Sequence, residues 1–280
     1  MIGPIRERLD PLIQASGAYH EIFVGGGPIL LDIAADRRFE HVNLAANDLD
    51  HVVAAFWDVL ANAPDDEFNE LLALVNRKPT IEMFWAERER EKLERDRVTL
   101  AYHCVFFHKT TFNGMYRALP IGGRSQKSKW TVGCHYTPAN IVKKLTEARR
   151  RVYQRLAVTS VPAIECIASI PDGEALYLDP PYFTVGHLLY PVAMTHLDHC
   201  ALADALKTRT AWVLSYDNCD AVRDLYTFAR VHEIQAWYAS SSFNEQQGTV
   251  IVNPDGSVAT DDAGNVRHRC MRKTELLIEA

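Results

Sequence analysis

The sequence predicts an α/β fold: a doubly wound, mostly parallel sheet interrupted by a largely helical insert. Three observations predict it. Short apolar runs alternate with amphipathic stretches at both ends of the 280-residue chain. A Gly-rich turn and a double-proline loop each follow such a run, and in open α/β sheets ligands sit beyond the strand ends. The middle of the chain, roughly residues 55–156, breaks the alternation. The predicted organisation is therefore one domain from 1–54 and 157–280, with 55–156 inserted.

The elements follow in order. Tyr19–Phe23 reads as a short strand ending at Gly25-Gly26-Gly27, and Pro28 suits the first turn of a helix. A second strand runs about His41–Ala46 and ends at Asn47-Asp48. A helix follows over Leu49–Asn62, with Val52, Val53, Phe56 and Leu60 at helical spacing. Ala63–Val98 reads as polar helix. Its charged run Glu87–Arg97 has no apolar stripe and is expected to be solvated. Ala101–Phe107 is apolar, Lys109–Tyr136 is irregular and rich in Gly, Ser, Lys and aromatics, and Pro138–Leu156 is helical again. Strands are expected at Val161–Ile170, Ala175–Asp179, Trp212–Tyr216, Val231–Tyr238 and Glu275–Ile278. Thr195 to Asp198 has the pattern of a capping box, and turn signals over 249–270 predict a hairpin excursion.

Composition is that of an ordinary globular protein, 48% hydrophobic and 24% charged, without a membrane-length apolar run or a secretory pattern. The expectation is a cytoplasmic protein. Cys104, Cys134, Cys166, Cys200, Cys219 and Cys270 are scattered, which suits reduced thiols and gives no metal spacing. Net charge is -6, which by itself argues mildly against nucleic acid. Yet Ala101–Arg151 holds ten basic residues against the single acid Glu147. That suggests a face for a polyanion; a solvated helix surface is the alternative, particularly for Arg149–Arg151.

Asp179-Pro180-Pro181-Tyr182 follows the apolar run Ala175–Leu178. Neither proline can donate a backbone hydrogen bond and each fixes its own φ, while the residue before a proline is held extended. The product is a stiff loop offering the Asp179 carboxylate and the Pro180 carbonyl as acceptors beside the Tyr182 ring. Two acceptors and a stacking face suit an exocyclic aromatic amine. Its delocalised lone pair becomes nucleophilic when both N–H groups are held. A plain proline turn with Asp179 as turn former is the competing reading. The glycines at 25–27 let a ligand approach the backbone, although they do not form the dinucleotide pattern, and Asp48 could take ribose hydroxyls.

In this order, these elements resemble Dam-like DNA adenine-N6 methyltransferases of the alpha group, over nearly the whole chain. Tyr19-His20-Glu21-Ile22-Phe23-Val24-Gly25-Gly26-Gly27 is similar to the family's S-adenosylmethionine (AdoMet) loop, Asn47-Asp48-Leu49-Asp50 to its ribose element, and Asp179–Tyr182 to its catalytic signature. Thr111-Phe112-Asn113-Gly114, Pro120-Ile121-Gly122-Gly123 and Gln126-Lys127-Ser128 look like the insertion of phage and prophage members. The resemblance implies the AdoMet-dependent methyltransferase fold and AdoMet as cofactor, held by Phe23, Gly25, Gly26, Gly27, Asp48 and Asp179. It implies catalysis at Asp179, Pro180, Pro181 and Tyr182, with the target base flipped into the loop and no metal.

Double-stranded DNA is the implied partner, and the protein a monomer or weak dimer. Lys109, Arg124, Lys127 and Lys129 are expected on phosphates, and Phe112, Asn113 and Arg117 at bases; for Phe112 and Tyr116 local packing is the alternative. Glu165 is the nearest candidate for the cofactor's adenine. The chain opens Met1-Ile2-Gly3-Pro4-Ile5-Arg6, where family members carry Gly-Gly-Lys. The expectation is a shortened start, or Arg6 as substitute. The competing functions are methylation of cytosine N4 or RNA adenine, and a DNA-binding protein of this fold with weak or lost activity. Asp at the first loop position favours adenine, and the missing glycine pattern disfavours a nicotinamide dehydrogenase.

Overall fold

The computed structural model describes residues 2–183, 194–238 and 271–280. α1 (Ile2–Ser16) buries Ile5, Leu9 and Ile13, one per turn, against the sheet. β1 (Ala18–Glu21), α2 (Pro28–Ala35), β2 (Asn43–Asn47) and α3 (His51–Asn62) follow. Asp50 caps α3 by accepting from the Val52 N–H. Then come α4 (Asp65–Val75), α5 (Ile81–Glu91), α6 (Arg97–Thr110) and α7 (Pro138–Val152). The chain returns through β3 (Leu156–Thr159), α8 (Ala163–Ser169) and β4 (Ala175–Leu178). The last described elements are α9 (His196–Leu206), β5 (Trp212–Asp217), α10 (Asp220–Leu225), β6 (Arg230–Tyr238) and β7 (Met271–Glu279).

The seven strands are ordered β3-β2-β1-β4-β5-β7-β6, and β7 alone runs antiparallel to its neighbours. This is the predicted doubly wound, mostly parallel sheet. β4, at its centre, is buried at all four residues, as a parallel strand covered on both faces must be. The order reverses between β1 and β4, so their carboxyl ends flank the topological switch where such sheets bind ligands.

Several expectations need correction. The third strand lies earlier than predicted, at Leu156–Thr159. Residues 163–169 of the predicted strand are helical instead, because Pro162 introduces a turn whose Cys166, Ile167 and Ile170 are buried at helical spacing. The charged run Glu87–Arg97 is only half-solvated. α5 ends at Glu91, Arg88 lies 3.7 Å from the Phe107 ring centre, and Glu87 meets the fully buried His103 at 2.9 Å. Arg149 is no solvated helix residue either. It is 7% exposed, donates to the Val59 and Ala63 carbonyls and pairs with Asp65 at 2.8 Å. The capping box at Thr195 and Asp198 is present. The hairpin over 249–270 lies outside the described residues.

α6 carries the helical insert. It is buried on nearly every side by α3, α4 and α5. α7 packs on α2 and α3, so insert and sheet share one apolar core running from Ile5 through Phe68 and Phe106 to Leu277. The boundary expected at 54/55 falls inside α3. Among the described residues, no helix is long and apolar enough to cross a membrane.

Candidate active site

The glycine turn leaves the end of β1 in a conformation that only glycine adopts freely. Gly25 and Gly27 have φ of 45° and 56°. A Cβ built on Gly25 or Gly26 would meet no protein atom within 4 Å, so the space above the turn is open. Beneath it the packing is tight: a Cβ on Gly27 would come within 2.3 Å of the Trp57 ring. Trp57, from α3, also donates its indole N–H to the Gly25 carbonyl at 2.9 Å. Phe23 is partly buried against a separate apolar cluster that includes Leu176 and Leu178 of β4 and Trp212 and Leu214 of β5.

Asp48, just past β2, reaches the same turn. One carboxylate oxygen accepts from the Gly25 N–H and the other from the Asp50 N–H, both at 2.9 Å. Burial outweighs these bonds and pushes its pKa up to about 6. Asn47 ties the strand ends together. Its amide donates to the Ile22 and Val161 carbonyls and accepts from the Thr159 hydroxyl and the Val161 N–H. Every acceptor and donor of a buried amide is thereby used.

Asp179 leaves β4 one strand away. Asp179 is exposed on one side, while protein packs about its carboxyl group on the others. That surrounding pushes its pKa up to about 7, with the Glu275 carboxylate adding to the rise. Glu21, at the end of β1, is 2% exposed and accepts from the Tyr19 hydroxyl at 2.5 Å. Burial, with Asp179 nearby, raises it to about 8. Glu275, on β7, is also buried and raised. Three carboxyl groups thus stand close enough at the strand ends to raise one another. Sequence reasoning named only Asp179. Glu21 lay within the quoted AdoMet-loop stretch, and Glu275 was an acid beginning an apolar run, the one available hint.

Tyr182 donates its hydroxyl to Glu275 at 2.8 Å, and the Phe183 N–H donates to Asp217 at 2.9 Å. The Phe183 ring packs 4.8 Å from His199, which is bonded to Tyr216. His199 is therefore a packing residue.

The basic insert is partly consumed by structure. Arg151 bonds Glu147 and the Leu31 carbonyl. Lys109 is half-buried, and burial together with Lys144 lowers its pKa. Arg117, Lys127 and Lys129 are exposed; Arg124 is exposed but lies 4.5 Å over the Trp85 ring. Phe112 is exposed, whereas Tyr116 is half-buried and packs edge-on to Phe107, so local packing explains Tyr116. Asn113 lies in a short 3₁₀ turn, Phe112–Gly114. Thr111 bridges Pro120, and Gln126 binds the Ile121 and Gly123 carbonyls, so the two glycine motifs of the insert form one knot.

One expectation fails here. Arg6 does not reach the glycine turn. It binds Asp10, Asp32 and Asp36, the last two at the far, carboxyl end of α2. Glu165 is exposed on the first turn of α8.

The sequence profile of D12 class N6 adenine-specific DNA methyltransferases matches residues 5–240. The chain is also similar to the Type II methyltransferase M1.LlaDCHI of Lactococcus lactis subsp. cremoris. The two are 21% identical over 249 residues, covering 83% of each chain.

Proposed function

The chain belongs to the D12 class of N6 adenine-specific DNA methyltransferases, and from that premise we propose that it methylates adenine N6 with AdoMet, in a base flipped out of duplex DNA against Asp179–Tyr182. The observation that carries the cofactor reading is the open glycine turn, with two carboxyl groups, Glu21 and Asp179, on adjacent strand ends. Burial raises both of them, so a cationic ligand there would favour their charged forms, and AdoMet carries both a sulfonium and an ammonium group. The open space over Gly25 and Gly26 suits its close approach. Asp48 has acceptor capacity left for ribose hydroxyls after its two backbone bonds.

The bound cofactor supplies an electrophilic methyl group; positioning falls to the protein. Asp179 and the Pro180 carbonyl accept the two N–H groups of the adenine amine, which localises its lone pair. Pro181 keeps the loop stiff, and Tyr182 stacks on the base for about 1–3 kcal/mol, offsetting part of the flipping cost. The Asp179 carboxylate is also an acceptor for the proton that the methylated amine must lose. The insert 55–156 is the recognition part, with Lys109, Arg124, Lys127 and Lys129 on phosphates, and Phe112, Asn113 and Arg117 near bases. The relative's description as a Type II methyltransferase suggests a role in restriction-modification.

The test is transfer of label from AdoMet to unmethylated duplex DNA. Wild-type protein yields N6-methyladenine, and Asp179→Ala yields none. Label found only in RNA, or only as N4-methylcytosine, overturns the substrate assignment. Label on DNA adenine that persists in Asp179→Ala overturns the site.

A further inference from the structure

Glu275 is an expensive residue for its place. It opens the run Glu275-Leu276-Leu277-Ile278 on β7, all buried, where an apolar side chain would spare the cost of desolvating a carboxylate. Its register partner on β5 is Asp217. These two facing acids hold two consecutive residues of the loop after β4: Glu275 accepts from the Tyr182 hydroxyl at 2.8 Å, and Asp217 from the Phe183 N–H at 2.9 Å. The two prolines stiffen the backbone before Tyr182 but leave its side-chain torsions free. A bond at the far end of the ring restricts them.

We infer that Glu275 is a positioning residue for methyl transfer: through the Tyr182 hydroxyl it fixes the plane of the ring on which the flipped base stacks. This deepens the reading of Asp179–Tyr182 as the catalytic loop and rests on it. Glu275 does not touch the base; it acts through Tyr182. The pairing of Asp217 with Phe183 sets the loop backbone beside it, so the ring is held at its tip and the chain just beyond it.

The experiment uses the full chain in four variants: Glu275→Gln, Glu275→Ala, Tyr182→Phe and the double variant Tyr182→Phe/Glu275→Ala. Transfer to unmethylated genomic DNA is measured at saturating AdoMet, beside KM for AdoMet. Glu275→Ala is expected to lower kcat about tenfold with KM for AdoMet within about twofold. Glu275→Gln, whose amide oxygen accepts the same bond, should stay within about threefold of wild type. In the Tyr182→Phe background the alanine change should cost less than about twofold more. Losses that multiply in the double variant overturn the inference, as does a Glu275→Ala effect confined to KM for AdoMet. Hydrogen exchange over residues 179–183 is read in the same proteins. Glu275→Ala should speed it, Glu275→Gln should not, and equal exchange in both overturns the inference. This second reading needs no activity. An inactive wild type would refute the proposed function while exchange still decides the role of Glu275.

Discussion

Gly26 and Gly27 are adjacent, yet alanine at each should fail differently. At Gly27 the new Cβ would sit 2.3 Å and 2.8 Å from two carbons of the Trp57 ring. Trp57 is 1% exposed in a packed core, so the indole must move. Overpacking of this kind costs about 1–3 kcal/mol. The left-handed backbone, φ 56°, adds about 1–2 kcal/mol for a residue with a Cβ. The expected loss is about 2–5 kcal/mol, or roughly 4–10 °C in Tm for a chain of this size. At Gly26 there is no neighbour within 4 Å, so Gly26→Ala should leave stability within about 1 kcal/mol. The open space there is where the cofactor is proposed to lie, so the same variant should raise KM for AdoMet at least tenfold. Urea unfolding without cofactor, beside cofactor titration, separates the two effects. A Gly27→Ala protein within about 1 kcal/mol of wild type would refute the packing argument. A Gly26→Ala protein with unchanged KM would refute the cofactor placement.

Three further outcomes follow from the structure. Glu21 has a folded-state pKa raised to about 8, so its stabilising protonation is complete at low pH and is lost as pH rises through that value. Unfolding free energy should fall by on the order of 2 kcal/mol between pH 6.5 and 8.5, and Glu21→Gln should flatten that slope in urea melts. Asn47→Ala removes an amide that satisfies four partners and should cost about 2–4 kcal/mol by the same assay, without a selective change in DNA affinity. Arg149→Ala should destabilise by about 3 kcal/mol while the salt slope of DNA binding holds. Lys127→Ala should do the reverse, lowering that slope by about 0.9 in fluorescence anisotropy titrations.

Much of this was legible in local patterns. Strands β1, β2, β4 and β5 and the loop at Asp179 announce themselves through short apolar runs ended by glycine, Asn-Asp or proline. α1 escaped notice because Gly3, Pro4 and Pro11 obscure the one-per-turn spacing of Ile5, Leu9 and Ile13. The third strand was displaced by an apolar run that suits a helix equally well once Pro162 starts it. Non-local facts were out of reach. That Arg149 closes onto carbonyls of α3 and its exit, some 90 residues earlier, depends on packing. The meeting of Glu21, Asp179 and Glu275 depends on strand order. An acid in an apolar run is the same letter whether it faces water or a buried hydroxyl.

The position of β7 bears on how the molecule is assembled during synthesis. Among the described residues β6 has its ladder with β7 alone, and β7 lies between β6 and β5. A nascent chain can therefore stack β3, β2, β1, β4 and β5 in parallel while β6, already made, has no place to dock. The sheet gains its last two strands in a single late event, when residues 271–279 emerge and slot in antiparallel. Until then the outer edge of β5 is an open template for a foreign strand. The Tyr182 tether forms in that same event, so a half-made protein lacks the finished loop as well as the finished sheet.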